Sequence, residues 1–113
     1  MHEYSITCSI IEILNDLIKK HKIKKIKKIS FELSFLAHIE SHSIEFYYNF
    51  LTRDNVILKD ADLKFRKNKL KIKCKDCKNF FEVENFISKC PECSSSKLNI
   101  IDSDDIKIMS IET

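Results

Sequence analysis

The sequence predicts an α+β fold, with two helices packed on a small three-stranded sheet and a four-cysteine ribbon inserted before the sheet's last strand. Three observations predict it. Apolar residues recur at helical spacing in two stretches of the first half. Apolar and polar residues alternate between and after those stretches. Two Cys-x-x-Cys pairs, Cys74-Lys75-Asp76-Cys77 and Cys90-Pro91-Glu92-Cys93, stand in the second half.

The first stretch runs from Ile6 to Ile18, where Ile6, Ile10, Ile13, Leu14 and Leu17 share one stripe. That is an amphipathic helix packed by one face. Cys8 points away from the stripe and reads as a partly exposed free thiol. Lys19, Lys20, Lys22, Lys24, Lys25, Lys27 and Lys28 then crowd together, which reads as a solvated helix end and strand start. Ile29, Phe31, Leu33 and Phe35 alternate with Ser30, Glu32 and Ser34, the pattern of a strand with one buried face. A second helix follows, capped by Ser41 or Ser43 and carrying Ile44, Tyr47, Tyr48 and Leu51 on its inner side. After the turn at Arg53-Asp54-Asn55, the residues Ala61, Leu63 and Phe65 mark a second strand, and Asn68 is expected in the left-handed conformation.

Leu70 and Ile72 enter the cysteine segment, Phe80, Phe81, Val83 and Phe86 lie between its pairs, and Leu98, Ile100 and Ile101 leave it. These residues predict a small core beside the cysteines. Ile106, Ile108 and the stretch to Ile111 form a last strand that rejoins the one at 29–35 and the one at 61–66. The expected division is residues 1–72 with 102–113 as one domain and 73–101 as an inserted subdomain.

Two residues between the cysteines of a pair let both sulfurs reach one ion, and residues 78–89 are enough for the pairs to meet. Cys74, Cys77, Cys90 and Cys93 therefore read as a closed, structural four-thiolate zinc site, one ion per chain. Disulfides and a redox-active Cys-x-x-Cys are the competing readings, but a redox motif needs one pair and this chain has two.

At 113 residues with a net charge of +3 the chain makes one modest domain, and the zinc supplies folding energy to the insert. No apolar run reaches the length of a membrane span, and the start does not read as a signal peptide. A cytoplasmic location is expected, where thiols stay reduced. The absence of glycine excludes glycine-based nucleotide fingerprints, and no nucleophile–base pair stands out, so the reading is a non-enzymatic protein. The alternative function is a zinc-ribbon nucleic-acid-binding module. Against it, Lys75, Lys78, Lys89 and Lys97 are balanced by Asp76, Glu82, Glu84 and Glu92, which leaves no positive surplus for phosphates.

The initial Met1-His2-Glu3, the order helix, strand, helix, strand, the two Cys-x-x-Cys pairs and the final strand together resemble the hydrogenase-maturation nickel metallochaperone family, the HypA/HybF type. The resemblance covers nearly the whole chain. It implies that the N-terminal segment binds nickel as labile cargo and that the four cysteines hold zinc. It also implies a GTPase hydrogenase-maturation partner and delivery to the large subunit of nickel–iron hydrogenase. Related proteins in some bacteria also serve urease, which adds a urease accessory protein to the partners. No nucleic acid or membrane is expected, and the chain should be a monomer or weak homodimer. Family members often place glycine after the second cysteine of a pair, where this chain has Lys78 and Ser94. Both must then tolerate φ > 0. Some relatives carry histidine near the pairs, where Asn79 and Ser94 stand here, so exchange of histidine for cysteine on zinc is not expected.

The nickel site implied by the resemblance falls on Met1, His2 and Glu3. The α-amine of Met1, the His2 amide nitrogen and the His2 imidazole form fused chelate rings that suit Ni(II), provided the amide loses its proton. The amine, the Glu3 amide and the imidazole all compete for the two positions a square plane offers beside that nitrogen. Either the Glu3 amide stays out and another ligand closes the plane or the site becomes five- or six-coordinate, and both leave nickel open to exchange. Glu3 either bonds the following helix or orients the imidazole. His21, His38 and His42 read as surface or capping residues.

Overall fold

The structure is a computed structural model, and it describes residues 2–101 and 105–113. Helix α1 spans Glu3–His21, with the acidic Glu3 in its first turn and Lys19, Lys20 and His21 in its last, the placement the helix dipole favours. Lys22 ends it in the left-handed conformation, at φ 53°. The inward line of α1 is Thr7, Ile10 and Leu14, and Ile13 remains half exposed, contrary to the stripe read from the sequence. Thr7 can take the inner position because its hydroxyl donates to the Glu3 carbonyl at 2.6 Å, leaving no unsatisfied polar group to bury.

Strand β1 covers Lys28–Leu33, α2 Ser41–Leu51, β2 Asp62–Lys67 and β6 Ile106–Glu112. They form a sheet of order β2-β1-β6, in which β2 runs parallel and β6 antiparallel to β1. A parallel pair needs a crossover, and α2 lies within that connection. One hydrophobic cluster joins Ile10 and Leu14 of α1, Ile29 and Phe31 of β1, Ile44 and Tyr48 of α2, and Leu63 of β2. Tyr48 is fully buried because its hydroxyl donates to the Leu58 carbonyl at 2.7 Å, and burial pushes its phenol pKa up.

Four local expectations are corrected. Glu40, rather than Ser41 or Ser43, caps α2, its carboxylate accepting from the His42 amide at 3.2 Å. β1 stops at Leu33 instead of continuing to Phe35, because the Ser34 amide donates to Asp105 and the Phe35 amide to Asn68 Oδ1. Asn68 is not left-handed. Its own amide donates to Leu33 and its Nδ2 to Glu32, so its side chain brackets the end of β1 instead of forming the turn. Glu32, expected on the polar face, is almost buried beneath Arg66, Asn68 and Lys107.

Between β2 and β6 the chain builds a second antiparallel sheet of order β4-β3-β5 from β3 Leu70–Cys74, β4 Phe80–Val83 and β5 Leu98–Ile100. Its apolar interior is smaller than the sequence suggested. Leu70 and Ile72 are buried and Phe81 and Val83 partly so, but Phe80 and Phe86 are 66% and 65% exposed. Phe86 packs edge-on against Phe35, with ring centroids 5.6 Å apart, and so links the two sheets. Among the described residues no helix is long and apolar enough to cross a membrane.

Candidate metal centre

The second sheet presents two knuckles built to one plan. In the first, the Cys74 amide donates to Asn79 and the Lys78 amide to Cys74; in the second, the Cys90 amide donates to Ser95 and the Ser94 amide to Cys90. Each turn closes only if the residue after its second cysteine adopts φ > 0, and Lys78 and Ser94 do so at 62° and 63°. The family resemblance implied this requirement. A β-carbon in the left-handed region costs roughly 1–2 kcal/mol, so both knuckles carry local strain that glycine would relieve.

The knuckles bring Cys74, Cys77, Cys90 and Cys93 together, with all four sulfurs within 4.8 Å of one another. Cys74 Sγ lies 3.6 Å from Cys93 Sγ, and Cys77 Sγ 3.7 Å from Cys90 Sγ. A disulfide would need about 2.05 Å. A tetrahedral ion with metal–sulfur bonds of about 2.3 Å spaces its sulfurs about 3.8 Å apart, which these separations match.

The electrostatics agree with a cation site. The amides of Cys77 and Asp76 hold the Cys74 thiol down to about 6 against partial desolvation, so this sulfur carries charge near neutrality. Cys93 moves the other way, to about 12. The Ser95 amide lowers it, but desolvation and the sulfurs of Cys74, Cys90 and Cys77 raise it by more. Cys77 is also raised, the Asn79 amide lowering it while desolvation, Cys74 and Cys90 outweigh that amide. Without a cation the cluster tolerates one thiolate readily and resists more; a bound divalent ion removes that resistance.

At the other end, His2 is exposed and occupies the N-cap of α1 without a side-chain cap bond. Glu3 is the organiser here. Its Oε1 accepts from the His2 amide at 3.2 Å and its Oε2 from the Glu40 amide at 3.5 Å, tying the chain start to the cap of α2. Its own amide, opposed by partial desolvation and helped by the amides of Glu40 and His2, holds its carboxyl below the usual range. The expectation for Met1 lies outside the described residues. Cys8 is exposed, as read from the sequence, and so are His21, His38 and His42.

The family described as hydrogenase/urease nickel incorporation, metallochaperone, HypA matches residues 1–113. The chain belongs to this family. A hydrogenase maturation factor HypA from Caldanaerobacter subterraneus subsp. tengcongensis is 39% identical over 93 residues, 82% of this chain and 81% of that protein. One from Aquifex aeolicus is 31% identical over 112 residues, 99% of this chain and 96% of the relative. The solution structure of the nickel metallochaperone HypA from Helicobacter pylori shares the fold, with a TM-score of 0.72 at 24% identity over 99% of this chain and 97% of that one. A second HypA solution structure superposes with a TM-score of 0.76 at 24% identity, covering 99% of this chain and 95% of the other.

The Glu3 to Glu40 contact escaped sequence reasoning, since nothing in the spacing of two carboxylates 37 positions apart shows which amides they accept from. The four cysteines needed no such long-range information, because each pair is closed by its own turn.

Proposed function

We propose that the chain is a nickel metallochaperone. It takes Ni(II) as cargo at Met1, His2 and Glu3, and holds zinc structurally on Cys74, Cys77, Cys90 and Cys93. The family match over residues 1–113 carries the reading. A closed set of four thiolates suits zinc, which would supply rigidity and leave no position open for chemistry. Residues 1–72 with 102–113 are the nickel-handling domain in this reading, and 73–101 the zinc subdomain.

The start of α1 supports the nickel assignment chemically. The chelate requires the His2 amide to lose its proton, and that N–H already points at a carboxylate 3.2 Å away, the Glu3 Oε1. Glu3 is a ready acceptor for the departing proton, and once its bond to the amide is gone the carboxylate is released to turn towards the metal. Binding should weaken as pH falls, because protons compete for the same nitrogens. The protein is then a cytoplasmic carrier rather than a catalyst, working with a GTPase partner and passing nickel to the hydrogenase large subunit, with urease as a second client.

His2→Ala should abolish nickel binding in isothermal titration while leaving the zinc content at one equivalent, since the two sites share no ligand. A residue added before Met1 moves the amine away from the chelate without touching the His2 side chain. It should change the nickel absorption spectrum and impair delivery. Unchanged nickel spectra and full hydrogenase maturation with the extended terminus would remove the amine from the ligand set.

A further inference from the structure

The two residues that join β2 to β3, Asn68 and Lys69, lie over a concave cavity of about 350 Å³ between the two sheets. Arg66, Lys67, Lys69 and Lys71 line it, against only Glu32 and Glu82. Lys107 also approaches this region, 4.0 Å from Glu32. Four cations against two carboxylates leave a surplus of positive charge, in a chain whose net charge is only +3.

Glu32 offsets Arg66, so the uncompensated charge lies on the lysines. Glu32 is nearly buried and already accepts from Arg66 Nη2 at 3.0 Å and from Asn68 Nδ2 at 3.3 Å. The Arg66 guanidinium bond, then the Asn68 amide, hold its carboxyl below the usual range in spite of partial desolvation. Among the described residues Lys67, Lys69 and Lys71 make no ion pair. The lysine run at 19–28 differs, because it lies on the surface and Lys25 already faces Asp60 at 3.4 Å. Like charges converging on a cavity focus a positive potential that a flat, solvated face does not.

We infer that this cavity is a docking site for an acidic segment of a partner protein, whose carboxylates meet Lys69 and Lys71. Charge complementarity selects the occupant, and the walls select protein over nucleic acid. No aromatic ring lines the cavity for base stacking, and it is a single concavity rather than an extended groove along which a phosphate backbone could run. A partner seated here touches both sheets at once and would set how they stand relative to each other. The inference does not depend on the nickel assignment at His2.

The test uses the full zinc-loaded chain and a fluorescein-labelled hexapeptide of alternating aspartate and glycine, read by anisotropy at low salt and by amide NMR shifts. The peptide should bind in a salt-sensitive manner and shift residues 66–71 and Glu82. Lys69→Glu with Lys71→Glu should weaken it roughly tenfold, about threefold for each charge reversed, while Lys24→Glu with Lys25→Glu should change it less than twofold. Lys69→Glu alone provides the same comparison if reversal at the half-buried Lys71 disturbs β3. Equal weakening by the Lys24 and Lys25 reversal, or shifts centred on residues 19–28, would show only generic attraction to a polycation. No binding at low salt, or tighter binding of a single-stranded hexanucleotide at the cavity, would likewise overturn the assignment.

Discussion

The two sheets of this chain are held together by different physics. The β2-β1-β6 sheet lies against α1 and α2 over one cluster of fully or nearly buried residues, among them Leu14, Ile26, Ile29, Ile44, Tyr48 and Leu58. The β4-β3-β5 sheet buries Leu70 and Ile72, and otherwise its buried residues are the cysteines Cys74 and Cys90. A sheet with so little apolar interior cannot offset the conformational entropy of ordering its strands, so the cross-link through four sulfurs must do so. The lesson is that burial and metal ligation substitute for each other within one short chain, each serving its own layer.

The sharpest way to break that comparison is to remove the ion. Structural zinc contributes roughly 10–16 kcal/mol of apparent binding energy in small peptides. Cys74→Ala or Cys90→Ala should therefore lose the metal and collapse amide-exchange protection across residues 70–100, while protection in α1, β1 and α2 persists. Retention of a full equivalent of zinc with an unchanged ribbon spectrum would remove the four-thiolate assignment. The converse experiment is Leu14→Ala, at a fully buried position. It should cost about 2–5 kcal/mol of stability in chemical denaturation without changing metal content. Phe86→Ala, at an exposed ring whose described aromatic contact is Phe35, should cost no more than about 1 kcal/mol.

A subtler separation comes from pH. Glu32 has its folded pKa depressed, first by the Arg66 bond, so its stabilising contribution is present above the ordinary carboxylate pKa and is lost as pH falls through the lower folded value. The melting temperature of Glu32→Gln should consequently fall below that of the parent at neutral pH and converge with it in acid. The gap staying constant would mean the side chain matters for shape and not for charge. The smallest expected effect is a gain: Lys78→Gly and Ser94→Gly should each stabilise the ribbon by about 0.5–1 kcal/mol, since the left-handed strain relieved is partly offset by the freer unfolded chain. Denaturation followed through amides of residues 70–100 measures it.

The contrast also explains what could be read from the sequence. Local devices were legible: the alternation through Ile29, Phe31 and Leu33, the helical run of Ile44 and Tyr48, and the spacing of the two cysteine pairs, while the φ > 0 at Lys78 and Ser94 was implied by the family resemblance. Each is decided within a few residues by periodicity or turn sterics. What was missed depends on partners distant in sequence. Asn68 could not be seen to abandon a turn role for a bracket on Phe35 and Glu32, 33 and 36 positions away. Nor could Glu32 be seen going under Arg66, because a strand's polar face is exposed only until another element supplies a charged cover. Ile13 was misplaced for a related reason: Thr7 is polar in composition, but its hydroxyl bond to Glu3 makes it suitable for the interior.

The order of strands has a consequence for how the molecule comes into being. β1 is the middle strand of the first sheet, and one of its two neighbours is β6, the last strand in the chain. A ribosome delivering this chain from its start releases α1, β1, α2 and β2 early, but the far edge of β1 stays unpaired until residues 70–100 have emerged. The metal-bearing excursion therefore comes before the strand that closes the first sheet. Until residues 106–112 emerge that edge is a template for pairing with other chains, and a cysteine segment still unfolded for want of its ion lengthens the loop that β6 must close to reach it.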